Sequence, residues 1–89
     1  MSTLMVTYDL LNQGQNYDCL IKKIKAYPGW CHLQQSVWLI STSNNCVQVR
    51  DNLSSCLDAN DKLFVAKLQG EAAWRGHSGE ITKWIKENA

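Results

Sequence analysis

No uninterrupted apolar run in this chain approaches the roughly 20 residues that a membrane-spanning helix needs. Nor do its first residues join a basic segment to an apolar core and a small-residue cleavage site. These two absences predict a cytoplasmic protein with no membrane partner. Net charge is only +1. The large positive excess of a dedicated nucleic-acid binder, whose affinity comes from neutralising phosphates, is therefore missing. Proline occurs once and glycine five times, which excludes flexible linkers and low-complexity segments. Gly70, Gly76 and Gly79 fit no phosphate-loop spacing. The four cysteines form no Cys-x-x-Cys pair, and His32 and His77 lie at no zinc-binding spacing. Cys19 lies beside the apolar stripe of the first helical segment, while Cys46 and Cys56 fall on that of the second. A free thiol behaves there as a small hydrophobe, so four reduced packing cysteines are expected.

What is present suits one small domain. The chain has 89 residues, 45% hydrophobic and 19% charged. A chain of this size buries roughly 60–65% of its unfolded surface, so its core is thin but self-standing. Leu4 to Leu10 is an apolar, β-favouring run. Asn16 can cap a helix reaching about Tyr27, with Tyr17, Leu20, Ile21, Ile24 and Tyr27 at helical spacing; Pro28-Gly29 stops it. Trp30 to Thr42 reads as extended, either one bent strand or two strands turning near Gln34-Gln35. Ser43-Asn44-Asn45 offers a cap for a second helix, whose stripe is Cys46, Val49, Leu53, Cys56 and Leu57. Asp58 to Asp61 is a turn by composition. Lys62 to Gln69 is a strand, Ala72-Ala73-Trp74 could add a short edge strand, and Ser78 can cap a last helix bearing Ile81, Trp84 and Ile85. The order predicts an α+β fold, a ferredoxin-like βαββαβ sandwich with an additional C-terminal helix, in one domain spanning residues 1–89.

Two helices can cover only one face of such a sheet, so the other face should alternate to polar residues. It does not. Val37 and Leu39 oppose Trp38 and Ile40, and Leu63 and Val65 oppose Phe64 and Ala66. The last helix can cover part of the second face through Trp84. A second copy of the chain is expected to cover the rest, because closed two-fold dimers are the commonest oligomers.

One residue stands out chemically. Asp is depleted in strands, yet Asp9 closes the first one, where a carboxylate is held rigidly for a metal or substrate. The plainer alternative is that Asp9 begins the turn into Asn12-Gln13-Gly14.

Val6-Thr7-Tyr8-Asp9-Leu10, Ser36-Val37-Trp38-Leu39-Ile40 and Asp61-Lys62-Leu63-Phe64-Val65 resemble segments of the small ferredoxin-fold subunit of the CRISPR adaptation machinery. The match is closer to the stand-alone SinR-like branch of that superfamily, and continues through Val49-Arg50-Asp51, Ala73-Trp74-Arg75-Gly76 and Trp84-Ile85-Lys86. The resemblance implies a homodimer with facing sheets. It also implies that Asp9 of both chains lies near the two-fold axis, where the pair could hold one Mg²⁺ or Mn²⁺ for phosphodiester hydrolysis. Hard carboxylate oxygens suit those ions. Adaptation subunits commonly carry basic residues soon after this aspartate and an aromatic-glutamate pair in the middle strand. Here Leu11 to Gln15 are uncharged and Trp38-Leu39 stands in the strand, so a phosphate clamp and an acidic group are missing.

Two functions follow. The first is a metal-dependent nuclease using Asp9, with Ser36 positioning phosphate or water. The second is a non-catalytic dimeric binding module or adaptor that touches RNA or DNA through Lys22, Lys23, Lys25 and Arg50, with Arg75 a further cation. The Gly70–Gly79 loop, with Arg75, His77 and Ser78, reads as an ordinary surface loop before an anion site. Trp74 reads as a packing anchor before a base-stacking platform.

Overall fold

Leu4, Val6 and Tyr8 recur at every second position, and strand β1 (Ser2–Asp9) buries all three on one face. The computed structural model describes residues 1–10 and 17–89. The suggested cap Asn16 and the turn at Asn12-Gln13-Gly14 lie outside them. Helix α1 (Tyr17–Lys25) turns Leu20 and Ile24 fully inward. The extended stretch after Gly29 is two strands, β2 (Gly29–Gln34) and β3 (Val37–Thr42), paired antiparallel with an irregularity between His32 and Gln34. Helix α2 (Cys46–Ser54) starts at Asn45 in a reciprocal cap. The Asn45 side chain accepts from the Gln48 amide at 2.8 Å, and the Gln48 side chain accepts from the Asn45 amide at 2.8 Å. Strand β4 (Lys62–Lys67) follows, and α3 (Gly79–Asn88) begins at Ser78, whose hydroxyl accepts from the Ile81 amide. Ala72-Ala73-Trp74 forms no strand.

All pairings are antiparallel, in the order β2-β3-β1-β4. Among the described residues this is an α+β architecture with a four-stranded sheet and three helices. Each crossover, β1–α1–β2 and β3–α2–β4, skips one strand. Helices α1 and α2 cover one face, over a core of Leu4, Val6, Tyr8, Leu20, Ile24, Trp38, Ile40, Val49 and Leu53. Trp38 is at its centre, 1% exposed, with its indole N–H donating to the Tyr8 hydroxyl at 3.1 Å. Cutting one aromatic polar group off from water without a partner is costly; here both are satisfied.

On the second face, the expected partial cover by the last helix through Trp84 is present and is extended by the loop that precedes α3. Cys31, Leu39 and Ile85 are buried there, packed by Met5, Leu33, Leu68, Trp74, Ile81 and Trp84. The Trp74 indole N–H donates to the Thr82 hydroxyl at 3.1 Å, tying the loop to α3. The Thr3 hydroxyl donates to the Asn88 carbonyl and pins the end of α3 over β1. At Gly29 the Trp84 ring packs close against the sheet. A Cβ there would stand 2.9 Å from Ser41 Cβ and 3.7 Å from the Trp84 ring, so only glycine leaves room. What stays open is the far end of this face, where Phe64 is 59% exposed.

The cysteines correct one expectation. Cys19 of α1 and Cys56, just beyond α2, form a disulfide with Cα atoms 5.7 Å apart. Two helical stripes packed on the same sheet face bring these thiols within bonding reach, which sequence spacing could not reveal. Cys31 is buried and Cys46 half-buried, and both are free. Burial pushes the Cys31 thiol above its ordinary pKa.

Candidate functional site

Asp9 is the last residue of β1, exposed at the open end of the second sheet face. The pairing register puts Lys62 directly opposite it on β4 and Phe64 opposite Thr7. On the other side of β1, the Tyr8 amide donates to the Ser36 carbonyl at 3.2 Å, so the β2–β3 turn is fastened beside Asp9. The fold thus brings the two residues predicted for chemistry, Asp9 and Ser36, to one end of the sheet. Thr7, Tyr8, Asp9, Lys62, Leu63 and Phe64 line a shallow depression of about 360 Å³ there. An open, partly polar hollow of this kind differs from the enclosed apolar clefts that hold small ligands.

Among the described residues, no three His, Cys, Asp or Glu side chains converge in a group able to hold a metal. Asp9 is a single exposed carboxylate at the strand end. Mg²⁺ is commonly held by one or two carboxylates, with water and substrate phosphate completing its shell. An exposed carboxylate at a rigid strand end meets that requirement if a second one faces it. Lys62 opposes this chemistry within one chain, because a lysine paired across strands with Asp9 offers a competing cation.

The five cations expected to touch nucleic acid do not form one patch. Lys22, Lys23 and Lys25 share α1, and the Lys23 ammonium donates to the Asn52 side-chain oxygen at 3.3 Å. Arg50 on α2 is paired with Asp51 at 2.9 Å, an exposed pair of adjacent residues. Arg75 is on the opposite side of the sheet, at a cavity of about 220 Å³ lined also by Met5, Leu39, Trp74, His77 and Ile85. Trp74 is half-buried in that cluster as an anchor. Ser78 is occupied in capping α3, and the Asp58–Asp61 turn closes on itself through the Asp58 amide and the Asp61 carboxylate at 2.9 Å.

Residue-level reading missed a cluster on β2. Trp30 and His32, two apart, stand on the helix-covered face opposite Ile40 and Trp38. The His32 ring stacks on Trp38 with centroids 3.9 Å apart and planes within 5°. Placing the hairpin turn at Gln35-Ser36 would have exposed this alternation, and the ambiguity between one strand and two concealed it. Lys62 was overlooked as Asp9's neighbour for a similar reason, since its position depends on register.

No protein-family model matches this chain, and no solved structure matches it.

Proposed function

We propose that the chain is a ferredoxin-like βαββαβ sandwich with an added C-terminal helix, similar to the CRISPR adaptation-subunit superfamily and nearest its stand-alone SinR-like branch. In this reading it works on nucleic acid as a homodimer. Asp9 of each chain would hold the Mg²⁺ or Mn²⁺ ion that supports phosphodiester hydrolysis. The fold reading is supported by the two crossovers that each skip a strand, with β1 and β3 central. The observation that carries the functional reading is the joint placement of Asp9 and the exposed Phe64 at the uncovered end of the second face, with the Ser36 carbonyl held by the neighbouring Tyr8 amide at the same end of the sheet. Phe64 is the apolar surface a twin chain would shield, and shielding it would draw two Asp9 carboxylates together.

The ion, when bound, would supply a Lewis acid for the phosphoryl oxygen and lower the pKa of a bound water. The chain's own part is simpler. The carboxylates of Asp9 fix the charge to be neutralised, and Ser36 orients a phosphate oxygen or water beside it. Lys62 gives the phosphate a cation in place of the missing arginine clamp. A cytoplasmic location belongs to the same proposal. Among the described residues no helix is long and apolar enough to cross a membrane, while a disulfide is unusual in a reducing compartment.

The second reading, a non-catalytic dimeric binding module or adaptor, is favoured by one observation: the strand register sets a positive side chain, Lys62, opposite Asp9, which disfavours a second cation there. Purified protein incubated with RNA and DNA in Mg²⁺ or Mn²⁺ separates the two. Cleavage that falls at least about 100-fold in Asp9→Asn is expected, since one group stabilising charge in the transition state is commonly worth that much. Equal activity in wild type and Asp9→Asn removes the nuclease reading. Light scattering is expected to return twice the chain mass, and a single-chain mass would remove the shared centre.

A further inference from the structure

The outer edge of β2 carries an unusual concentration of exposed aromatic surface. This strand ends the sheet, with β3 on its inner side and no strand beyond it. Trp30 is 40% exposed and its ring lies 5.8 Å from that of Trp38. His32 is exposed and lies flat against Trp38, and among the described residues no second ring stacks on it. Its ring nitrogen Nε2 is 3.3 Å from the Gln35 carbonyl, an interaction that fixes the plane of the ring. Above the edge, Lys25 places its ammonium 5.0 Å from the Trp30 ring centroid. Lys22, exposed and three residues earlier, is its neighbour on the same stripe of α1. Asp18, four residues before Lys22, is the acidic residue of that stripe.

We propose that His32 and Trp30, flanked by Lys25 and Lys22, form a binding site for single-stranded nucleic acid. A pre-oriented aromatic plane with one free face accepts a base at low entropic cost, and every base has a π face to offer. A base on the side of His32 away from Trp38 extends the Trp38–His32 pair into a three-layer stack. Lys25 and Lys22 then meet the flanking phosphates. A duplex hides its base faces in its own stack and gains only the two lysines. The small number of cations agrees with a net charge of +1, because stacking supplies the affinity that phosphate contacts do not. Strand spacing and rise put His32 roughly 14 Å from Asp9, two strands across and about three residues along. The site deepens the nucleic-acid reading above, but it needs neither Asp9 nor a metal.

The test is fluorescence anisotropy with labelled oligo-uridine and oligo-thymidine 12-mers and a 12-base-pair duplex. EDTA is present, so cleavage plays no part and failure of the nuclease reading leaves the result intact. Single strands are expected to bind at least about tenfold tighter than the duplex. His32→Ala should weaken binding about tenfold, and His32→Phe, which keeps the stack, should restore it. Lys25→Ala should lower the slope of log affinity against log salt by about 0.7, whereas His32→Ala leaves the slope unchanged. Thermal melting of each variant shows whether it is folded, and His32→Phe serves even if His32→Ala is not. The proposal is overturned by equal binding of duplex and single strand, by wild-type affinity in His32→Ala, or by no binding at 100 mM salt and about 100 μM protein. Competition by poly-glutamate as effective as by oligo-uridine would likewise overturn it, marking the edge as a surface for acidic polypeptides.

Discussion

Reduction of the Cys19–Cys56 disulfide is expected to lower the melting temperature of this protein by roughly 15–30 °C. The bond closes a loop with a sequence separation of 37. Restricting the unfolded chain over that length stabilises the fold by about 4 kcal/mol in the chain-entropy treatment. For a domain of this size, each kcal/mol moves the midpoint by about 4–8 °C. The total stability of small domains is only about 5–15 kcal/mol, so the staple would be a large share of it. It also joins two helices that otherwise meet through few groups, the Lys23–Asn52 hydrogen bond among them. The measurement is calorimetry with and without a thiol reductant, repeated on Cys19→Ser/Cys56→Ala. Loss of the reductant response in the double variant assigns it to this bond, because Cys31 and Cys46 are free. A shift below about 3 °C would show that α1 and α2 hold their places by packing alone.

Trp38→Ala is expected to cost about 3–5 kcal/mol and to leave little folded protein once the disulfide is reduced. Trp38 is among the largest fully buried side chains. Removing it leaves a cavity under both helices and strips the Tyr8 hydroxyl of the indole donor at 3.1 Å. It also takes away the surface on which His32 stacks and against which Trp30 leans. Trp38→Phe should cost less, since most of the volume stays and the loss is chiefly the hydrogen bond. Urea unfolding of the three proteins checks the order. Had Trp38→Ala cost under about 1 kcal/mol, the core would not be centred where the structure puts it.

Tyr8 adds a pH signature to the same pair. Burial pushes its phenol above the ordinary pKa, opposed by the Trp38 hydrogen bond and assisted by nearby Tyr17. A phenol that ionises less readily in the folded state contributes stability that is intact below about pH 10, its unfolded value, and is lost as pH rises through the folded value. Unfolding midpoints measured from pH 8 to 11.5 should therefore fall above about pH 10, and Tyr8→Phe should flatten that fall.

Much of the architecture could be read in the residues. Period-two alternation in Leu4-Val6-Tyr8 and helical spacing in Leu20-Ile24 and Val49-Leu53 each place apolar atoms on one side of a local element. Such elements form because burying that side removes oily surface from water. Caps at Asn45 and Ser78 were legible for an equally local cause, a side-chain oxygen within reach of an amide three residues on. The carboxylate of Asp9 was legible as an anomaly in a strand.

What local chemistry could not reach was which distant segments meet. The Cys19–Cys56 bond depends on two helices lying side by side. The pairings of Asp9 with Lys62 and of Tyr8 with Ser36 depend on register. The stack of His32 on Trp38 depends on where one hairpin turns. Residue type and spacing alone therefore determined the three helical segments, the first and last strands and the apolar character of both sheet faces. Tertiary structure decided that α3 packs with the Trp74 loop over the second face, that Phe64 stays exposed, and that an aromatic edge faces solvent, because contacts between residues far apart in sequence are chosen by the packing of whole surfaces.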